Sequence, residues 1–199
     1  MNFLAHAYLS GNNEEILFGN FVADAVKGNG WQNYPQDIQT GMRLHRLIDV
    51  YTDRHPVFKR SLGRIRGSFG KYSGIVVDIY YDHFLAKNWS DYSTTGLADY
   101  ADHVYKILQD NYETLPERTK RMLPYLVSLN WLVGYANFSE LNLVFYGMDG
   151  RTGLKSGMKK AVKVLKENYT DLKLDFVEFF PELITYSQSE LERLINSRE

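Results

Sequence analysis

Helical spacing of apolar residues runs through almost the whole chain and constrains its fold more than any other feature. The segment from 97 to 108 is a clear example, because its apolar residues recur every three or four positions: Leu97, Tyr100, Ala101, Val104 and Leu108. Such spacing places the apolar side chains on one face of a helix. The alternating pattern of a half-buried β-strand is hard to find. The sequence therefore predicts an all-α fold.

Prolines predict where two helices in the first half begin and end. Pro35 suits the first turn of a helix that runs to about Arg54, where Pro56 then stops it. A second, strongly apolar helix is predicted over residues 73–88. These two helices carry most of the histidines and carboxylates of this half.

The second half of the chain predicts four further helices, at about 95–108, 116–129, 141–146 and 171–197. Thr94 or Thr95 is a candidate N-cap for the first of them. We expect the third to end in a turn over residues 147–150, because two glycines flank that segment. We expect the last to be broken or kinked near Pro181, since proline inside a helix removes a backbone hydrogen bond.

The length and composition indicate one domain spanning residues 1–199. A hydrophobic fraction of 44% is ample for a single core in a chain of 199 residues. No internal repeat, low-complexity tract or linker divides the sequence. We therefore expect a single-domain helical bundle.

Charge and cysteine content exclude several classes of protein. The formal net charge of −1 excludes a globally basic nucleic-acid binder, and the absence of cysteine excludes thiolate sites and disulfides. The N-terminus lacks a basic region followed by a long apolar stretch, and no apolar run approaches the roughly 20 residues of a membrane span. We expect a cytoplasmic protein whose partners are neither nucleic acid nor membrane.

Histidines and carboxylates are concentrated in the first ninety residues. His45 and Asp49 are four positions apart and share a helix face. Asp78 and Asp82 repeat that interval on the next predicted helix, and His83 follows Asp82. Two helices can thus supply imidazole and carboxylate ligands to one metal ion. This mixture suits manganese, iron or zinc, whereas an all-oxygen set would indicate magnesium or calcium.

Each of these residues also has a structural interpretation. Asp24 could end a helix or form a turn, and His6, inside an apolar segment, could be a hydrogen-bonded core histidine. Asp53 and His55 stand where a helix is predicted to end. A carboxylate beside a core-facing stripe is costly to bury unless a cation meets it. Either a divalent ion or a salt bridge meets that need.

A basic segment separates the two predicted ligand helices. Residues 54–77 contain no acidic residue but six basic ones, namely Arg54, Lys59, Arg60, Arg64, Arg66 and Lys71. If it borders the site, this segment attracts phosphate or an acidic protein by long-range electrostatics. The alternative is a basic surface that only contacts solvent.

Four segments of the first half resemble the bacterial acyl carrier protein phosphodiesterases. They are Asn-Phe-Leu-Ala-His at 2–6, Gly-Asn-Phe-Val-Ala-Asp at 19–24, His-Arg-Leu-Ile-Asp at 45–49 with Thr52-Asp53, and Asp-His-Phe-Leu at 82–85. The resemblance is ordered and dense over about the first 90 residues. After Trp89 it consists of overall length, helical character and an Asn-x-x-x-x-Gly-Met segment at 142–148.

This resemblance implies an enzyme that removes the 4'-phosphopantetheine arm from holo acyl carrier protein. It also implies an all-helical fold related to the HD-type metal-dependent phosphohydrolases. The chain departs from the usual HD order, because it has Asp82-His83 where those enzymes carry His-Asp. Acyl carrier proteins are acidic around the modified serine, so the six basic residues of the segment 54–71 are the expected docking site.

Spacing and resemblance together predict a hydrolytic metal centre. The predicted ligands are His6, Asp24, His45, Asp49 and Asp82. The expected cofactor is a divalent metal, manganese or magnesium, with iron or zinc as alternatives. Arg46 is predicted either to neutralise charge in the transition state or only to orient a carboxylate. His83 is predicted either to bind the metal or to protonate the leaving serine oxygen.

Two other functions remain open from the sequence. One is a phosphohydrolase that acts on a nucleotide or another small phosphodiester, with the basic segment binding phosphate. The other is a noncatalytic helical module that binds an acidic protein, in which the carboxylates are structural. The sequence does not predict the oligomeric state.

Overall fold

The computed structural model describes residues 1–197, and within them the predicted all-α fold is confirmed. The first five helices are α1 (Phe3–Tyr8), α2 (Glu14–Val22), α3 (Gln36–Arg54), α4 (Pro56–Phe69) and α5 (Ser73–Lys87). The other six are α6 (Leu97–Asp110), α7 (Glu117–Ser128), α8 (Trp131–Gly134), α9 (Phe138–Arg151), α10 (Ala161–Glu167) and α11 (Tyr169–Asn196). One cluster of buried apolar side chains extends from α1 to α11. No helix in this range has the length and apolar character to cross a membrane.

The helix ends predicted from proline are confirmed in the first half. Pro35 is the N-cap of α3, which ends at Arg54, and Pro56 is the first residue of α4. His55 joins the two helices, because its Nδ1 accepts a hydrogen bond from the backbone N–H of Val57 at 3.3 Å. The C-terminal end of α3 therefore has a fixed direction relative to α4.

In the second half, the predicted turn is wrong and the last helix is not broken at its proline. The predicted turn at residues 147–150 lies inside α9, although each of the two exposed glycines there costs a helix about 1 kcal/mol relative to alanine. The chain turns instead at Gly153, which has a φ of +63°. The buried carboxylate of Asp149 accepts a hydrogen bond from Ser156 Oγ across this turn. Helix α11 continues through Pro181 without a break, and buried Phe179, Phe180 and Leu183 anchor it on both sides of the proline.

Helices α2 and α3 pack with their backbones almost in contact. A Cβ atom on Gly19 would lie 2.0 Å from the carbonyl oxygen of Ile38, and one on Gly41 would lie 2.0 Å from that of Ile16. No side chain fits at either glycine without separating the helices. This close crossing brings Asn20, the residue after Gly19, against the middle of α3.

Candidate active site

Helices α1 and α3 bring two histidines to one carboxylate. His6, His45 and Asp49 each offer a ligand atom, and these atoms lie within 4.8 Å of one another. His6 Nε2 is 3.2 Å from Asp49 Oδ1, and His45 Nε2 is 3.3 Å from Asp49 Oδ2. The two imidazole rings stack, with centroids 3.9 Å apart. Both rings therefore direct the same nitrogen towards one point.

Asn20 fixes the orientation of both imidazoles. Its Nδ2 donates to the carbonyl oxygen of His6 and to Ser10 Oγ, both at 2.9 Å, so its Oδ1 must act as an acceptor. His6 Nδ1 donates to this Oδ1 at 2.9 Å, and His45 Nδ1 donates to the carbonyl oxygen of Asn20 at 2.8 Å. In the neutral rings the proton is thus on Nδ1 and the lone pair on Nε2. Metal-binding histidines are held in this way.

Asp24 completes the open side of the cluster. It lies in the single turn Ala23–Ala25 that follows α2, and its Oδ1 is 3.2 Å from His45 Nε2. Its side chain is 75% exposed, against 38% for Asp49. The hydrogen bond with His45 lowers the pKa of Asp24 despite partial burial. The sequence offered a turn and the metal site as alternative places for Asp24. In the structure Asp24 lies in a turn and also contacts the histidine cluster.

The charges of the cluster fit a divalent cation. Burial, reinforced by repulsion from His45, lowers the pKa of His6 to about 4, so this ring is neutral near pH 7. Its Nε2 lone pair then faces a carboxylate oxygen with no proton between them. Burial disfavours charge on His45 and Asp49 as well. Hydrogen bonds with Asp24 and Asp49 nevertheless raise the pKa of His45 to about 9, and the hydrogen bond with His45 holds the pKa of Asp49 well below its usual range. A cation bound by these groups would relieve the contact between His6 and Asp49.

Asp82 has a different environment from the other predicted ligands. It is fully buried, its Oδ2 accepts from the backbone N–H of Leu4 at 2.8 Å, and its Oδ1 accepts from that of Ala5 at 3.2 Å. Both oxygens thus satisfy free N–H groups in the first turn of α1. Burial raises the pKa of Asp82 to about 7, although these two hydrogen bonds oppose the shift. The geometry favours helix capping over metal binding for Asp82.

The two residues predicted to be catalytic also face elsewhere. The imidazole of His83 is buried, with Nδ1 2.7 Å from the carbonyl oxygen of Tyr135 and Nε2 3.2 Å from the hydroxyl of Tyr169, and burial lowers its pKa. Arg46 is exposed because it lies about a quarter turn around α3 from His45, and its guanidinium is 5.9 Å from the Trp31 ring centroid. A direct catalytic role for either residue gains no support from these contacts.

A cavity of about 380 Å³ opens from the cluster. Asp24 and Asp49 line it, together with Asp53 and Asp78. Its other wall belongs to α7, α8, α9 and the residues between them, and includes Met122, Leu129, Trp131, Leu143, Val144, Met148, Arg118, Arg151 and Glu140. The sequence did not predict that residues of the second half line the site. The signal for this wall was the Asn-x-x-x-x-Gly-Met segment, whose Met148 lines the cavity.

Two members of the predicted docking segment are already paired within the fold. Buried Asp175 of α11 accepts from Arg60 Nε at 2.7 Å and from Arg64 Nε at 2.8 Å. Arg60 also pairs with Glu178, and Arg64 with Asp171. These arginines join α4 to α11 and are not free to bind a partner. The residues of the segment with no ion-pair partner among residues 1–197 are Arg54, Lys59, Arg66 and Lys71.

The fold and the site together define an all-α protein with a histidine and carboxylate centre whose carboxylates line a cavity. Residues 1–183 match the sequence model of a family described as acyl carrier protein phosphodiesterase. The chain belongs to this family. The match extends well beyond Trp89, into the half where the resemblance rested on few residues.

Individual relatives carry the same name. An acyl carrier protein phosphodiesterase of Escherichia coli O6:H1 is 33% identical, over 92% of this chain and 96% of the relative. Those of Yersinia pestis and Photorhabdus laumondii are 31% and 30% identical, over 94% and 95% of this chain and 98% and 96% of the relatives. No solved structure matches the chain significantly. The relation to HD-type phosphohydrolases therefore stays a prediction.

Proposed function

We propose that this protein hydrolyses the phosphodiester of holo acyl carrier protein, releasing 4'-phosphopantetheine and the apo protein. The observation that carries this proposal is the convergence of His6, His45 and Asp49, whose carboxylate lines a cavity. The names of the relatives supply the substrate. A cytoplasmic location, expected from the absence of cysteine, is part of the proposal.

A divalent cation is the proposed cofactor, manganese or magnesium, with iron or zinc as alternatives. The residues that would hold it are His6, His45 and Asp49, with Asp24 at the open side. When bound there, such an ion supplies a Lewis acid for the phosphate oxygens and lowers the pKa of a water molecule. Asn20 contributes by holding both imidazoles with Nε2 directed at the site.

In the reaction, a water oxygen forms a bond to phosphorus and the bond between phosphorus and the carrier serine oxygen breaks. The serine oxygen takes up a proton, and phosphate leaves with the pantetheine arm. Asp24 lines the cavity with a largely exposed carboxylate. We assign to this carboxylate the orientation of the attacking water, by accepting its hydrogen bond.

The docking of the carrier protein is part of the same proposal. With Arg60 and Arg64 paired to α11, the basic residues left to meet the acidic carrier surface are Arg54, Lys59, Arg66 and Lys71. Attraction by exposed charges of this kind acts mainly on the rate of encounter and weakens as salt is added.

The test is incubation of the protein with holo acyl carrier protein and Mn²⁺, followed by mass spectrometry of the carrier. We expect loss of the phosphopantetheine arm, prevented by EDTA and by Asp49→Ala. A panel of nucleotides and small phosphodiesters belongs in the same experiment. Turnover of that panel but not of the carrier, or tight binding of the carrier without release of its arm, would overturn the proposal.

A further inference from the structure

The wall of the cavity formed by α7 and α9 contains two arginines that the fold leaves unpaired. Arg118 near the start of α7 and Arg151 at the end of α9 line the same cavity as Asp24 and Asp49. Neither guanidinium has an ion-pair partner among residues 1–197, in contrast to Arg60. Two free positive charges on a concave surface indicate an anionic ligand.

We propose that this wall is the binding site for the phosphopantetheine arm, with Arg118 and Arg151 contacting its phosphate. This inference rests on the proposed function and assigns to it a set of substrate-binding residues. The apolar side chains of α7, α8 and α9 that line the cavity would contact the pantetheine chain.

The acidic lining of the cavity favours further cations beside the proposed metal ion. Four aspartates and Glu140 line it, so a phosphodiester entering it would be repelled by the protein's own side chains. Met1 also lines the cavity, but its amino group is buried and paired, 3.1 Å from Asp78 and 3.4 Å from Asp49. Among the described lining residues, this leaves Arg118 and Arg151 as the only cationic side chains.

The apolar part of the wall has the chemistry of the rest of the arm. Leu129 is 50% exposed and Leu143 is 59% exposed, although both line a cavity where a ligand would cover them. Pantetheine alternates methyl and methylene groups with two amides, so it needs apolar contact along its length. The volume of about 380 Å³ lies within the range of about 300–1,000 Å³ that small-molecule sites occupy.

The first experiment measures binding of free 4'-phosphopantetheine by calorimetry, with pantetheine as the probe that lacks phosphate. In the double variant Arg118→Gln/Arg151→Gln we expect affinity for 4'-phosphopantetheine to fall about 10–100-fold, because two charge-assisted contacts are lost. Affinity for pantetheine should stay close to that of the parent. The matched control is Arg121→Gln/Lys155→Gln, which removes two exposed cations from α7 and from the segment after α9, outside the cavity.

The second experiment tests the apolar part of the wall. Leu143→Ser should weaken binding of both probes, whereas Leu174→Ser, at an equally exposed position on α11, should weaken neither. All the substituted side chains are exposed, so the variants should keep the parent's thermal midpoint.

Several outcomes would overturn the inference. It is wrong if the parent binds no 4'-phosphopantetheine, or if the arginine variant binds it as the parent does. Loss of carrier protein affinity with normal 4'-phosphopantetheine binding would assign the arginines to the carrier surface instead. Arginine-dependent binding of the arm without any hydrolysis would contradict the proposed function and leave this inference standing.

Discussion

Helices α3 and α5 carry similar groups at the same spacing but place them in different surroundings. On α3, His45 and Asp49 face the imidazole of His6, and the main-chain donor near Asp49 is the Met1 amino group, 3.4 Å from its Oδ1. On α5, Asp82 accepts two backbone N–H groups of α1, and Asp78 lies 3.1 Å from the amino group of Met1. An interval of four residues places two side chains on the same face of a helix. Which groups they bind depends on the residues that the rest of the fold packs against that face.

The difference separates a proposed metal ligand, Asp49, from a helix-capping group, Asp82. A carboxylate that the backbone already satisfies has little to gain from a metal, while one that faces an imidazole lone pair is stabilised by a cation. Asp82 still serves the site indirectly. It holds the first turn of α1, and that helix carries His6.

The largest effect should come from Asp49→Ala. We expect turnover of holo acyl carrier protein to fall about a thousandfold or more, equivalent to about 4 kcal/mol in the activation barrier, because the carboxylate shared by both histidines is lost. The measurements are turnover by mass spectrometry and helical content by circular dichroism. Substantial activity in a folded variant would remove Asp49 from the site.

Asp82→Ala should act on stability instead. Leaving two N–H groups of α1 unpaired should cost about 1–3 kcal/mol of unfolding free energy. Urea denaturation measures this loss, and Asp82→Asn, which keeps one acceptor oxygen, should recover part of it. Metal affinity of the folded variant, measured by calorimetry, should stay near that of the parent. A metal affinity as low as that of Asp49→Ala would restore Asp82 to the ligand set.

The sequence predicts the surroundings of His45 and Asp49 on α3 better than those of Asp82 on α5. Four of the five predicted ligands, His6, Asp24, His45 and Asp49, do come together. The sequence signal for two of them was a shared helix face, and for the other two it was a local motif of the resemblance. Asp82 has the same local pattern as Asp49. Only the packing of α1 against α5 shows that its acceptors are already occupied.

Other features depended on contacts distant in sequence. Asn20 reaches the histidines because Gly19 and Gly41 let α2 and α3 pack closely. The Gly-Asn pair at 19–20 was the sequence signal for this role. The pairing of Arg60 depends on α11, more than 100 residues away. Helix ends were predicted where proline sets them locally. The turn predicted at 147–150 was wrong because exposed glycines are compatible with a helix that Asp149 anchors at its end.

Asn20→Ala sharpens the comparison by removing the side-chain acceptor of His6, while every ligand and the backbone carbonyl that supports His45 stay in place. We expect affinity for Mn²⁺ to fall about 10–100-fold, as for other residues that orient metal-binding histidines. The matched control is Asn13→Ala, which removes the N-cap of the same helix. It should cost about 1 kcal/mol of stability without changing metal affinity. Equal metal affinity in the two variants would contradict the role of Asn20.

The smallest effect on catalysis should come from substituting Arg60 and Arg64. Like the carboxylate of Asp82, these cations are already paired within the fold and have little to gain from another partner. Because both already pair with Asp175, Arg60→Gln/Arg64→Gln should lower the urea midpoint and leave KM for the carrier protein almost unchanged. Lys59→Gln/Arg66→Gln, on the same helix but with no ion-pair partner among residues 1–197, should raise KM at low salt and leave stability unchanged. The opposite pattern would mean that the ion pairs with α11 open when the carrier binds.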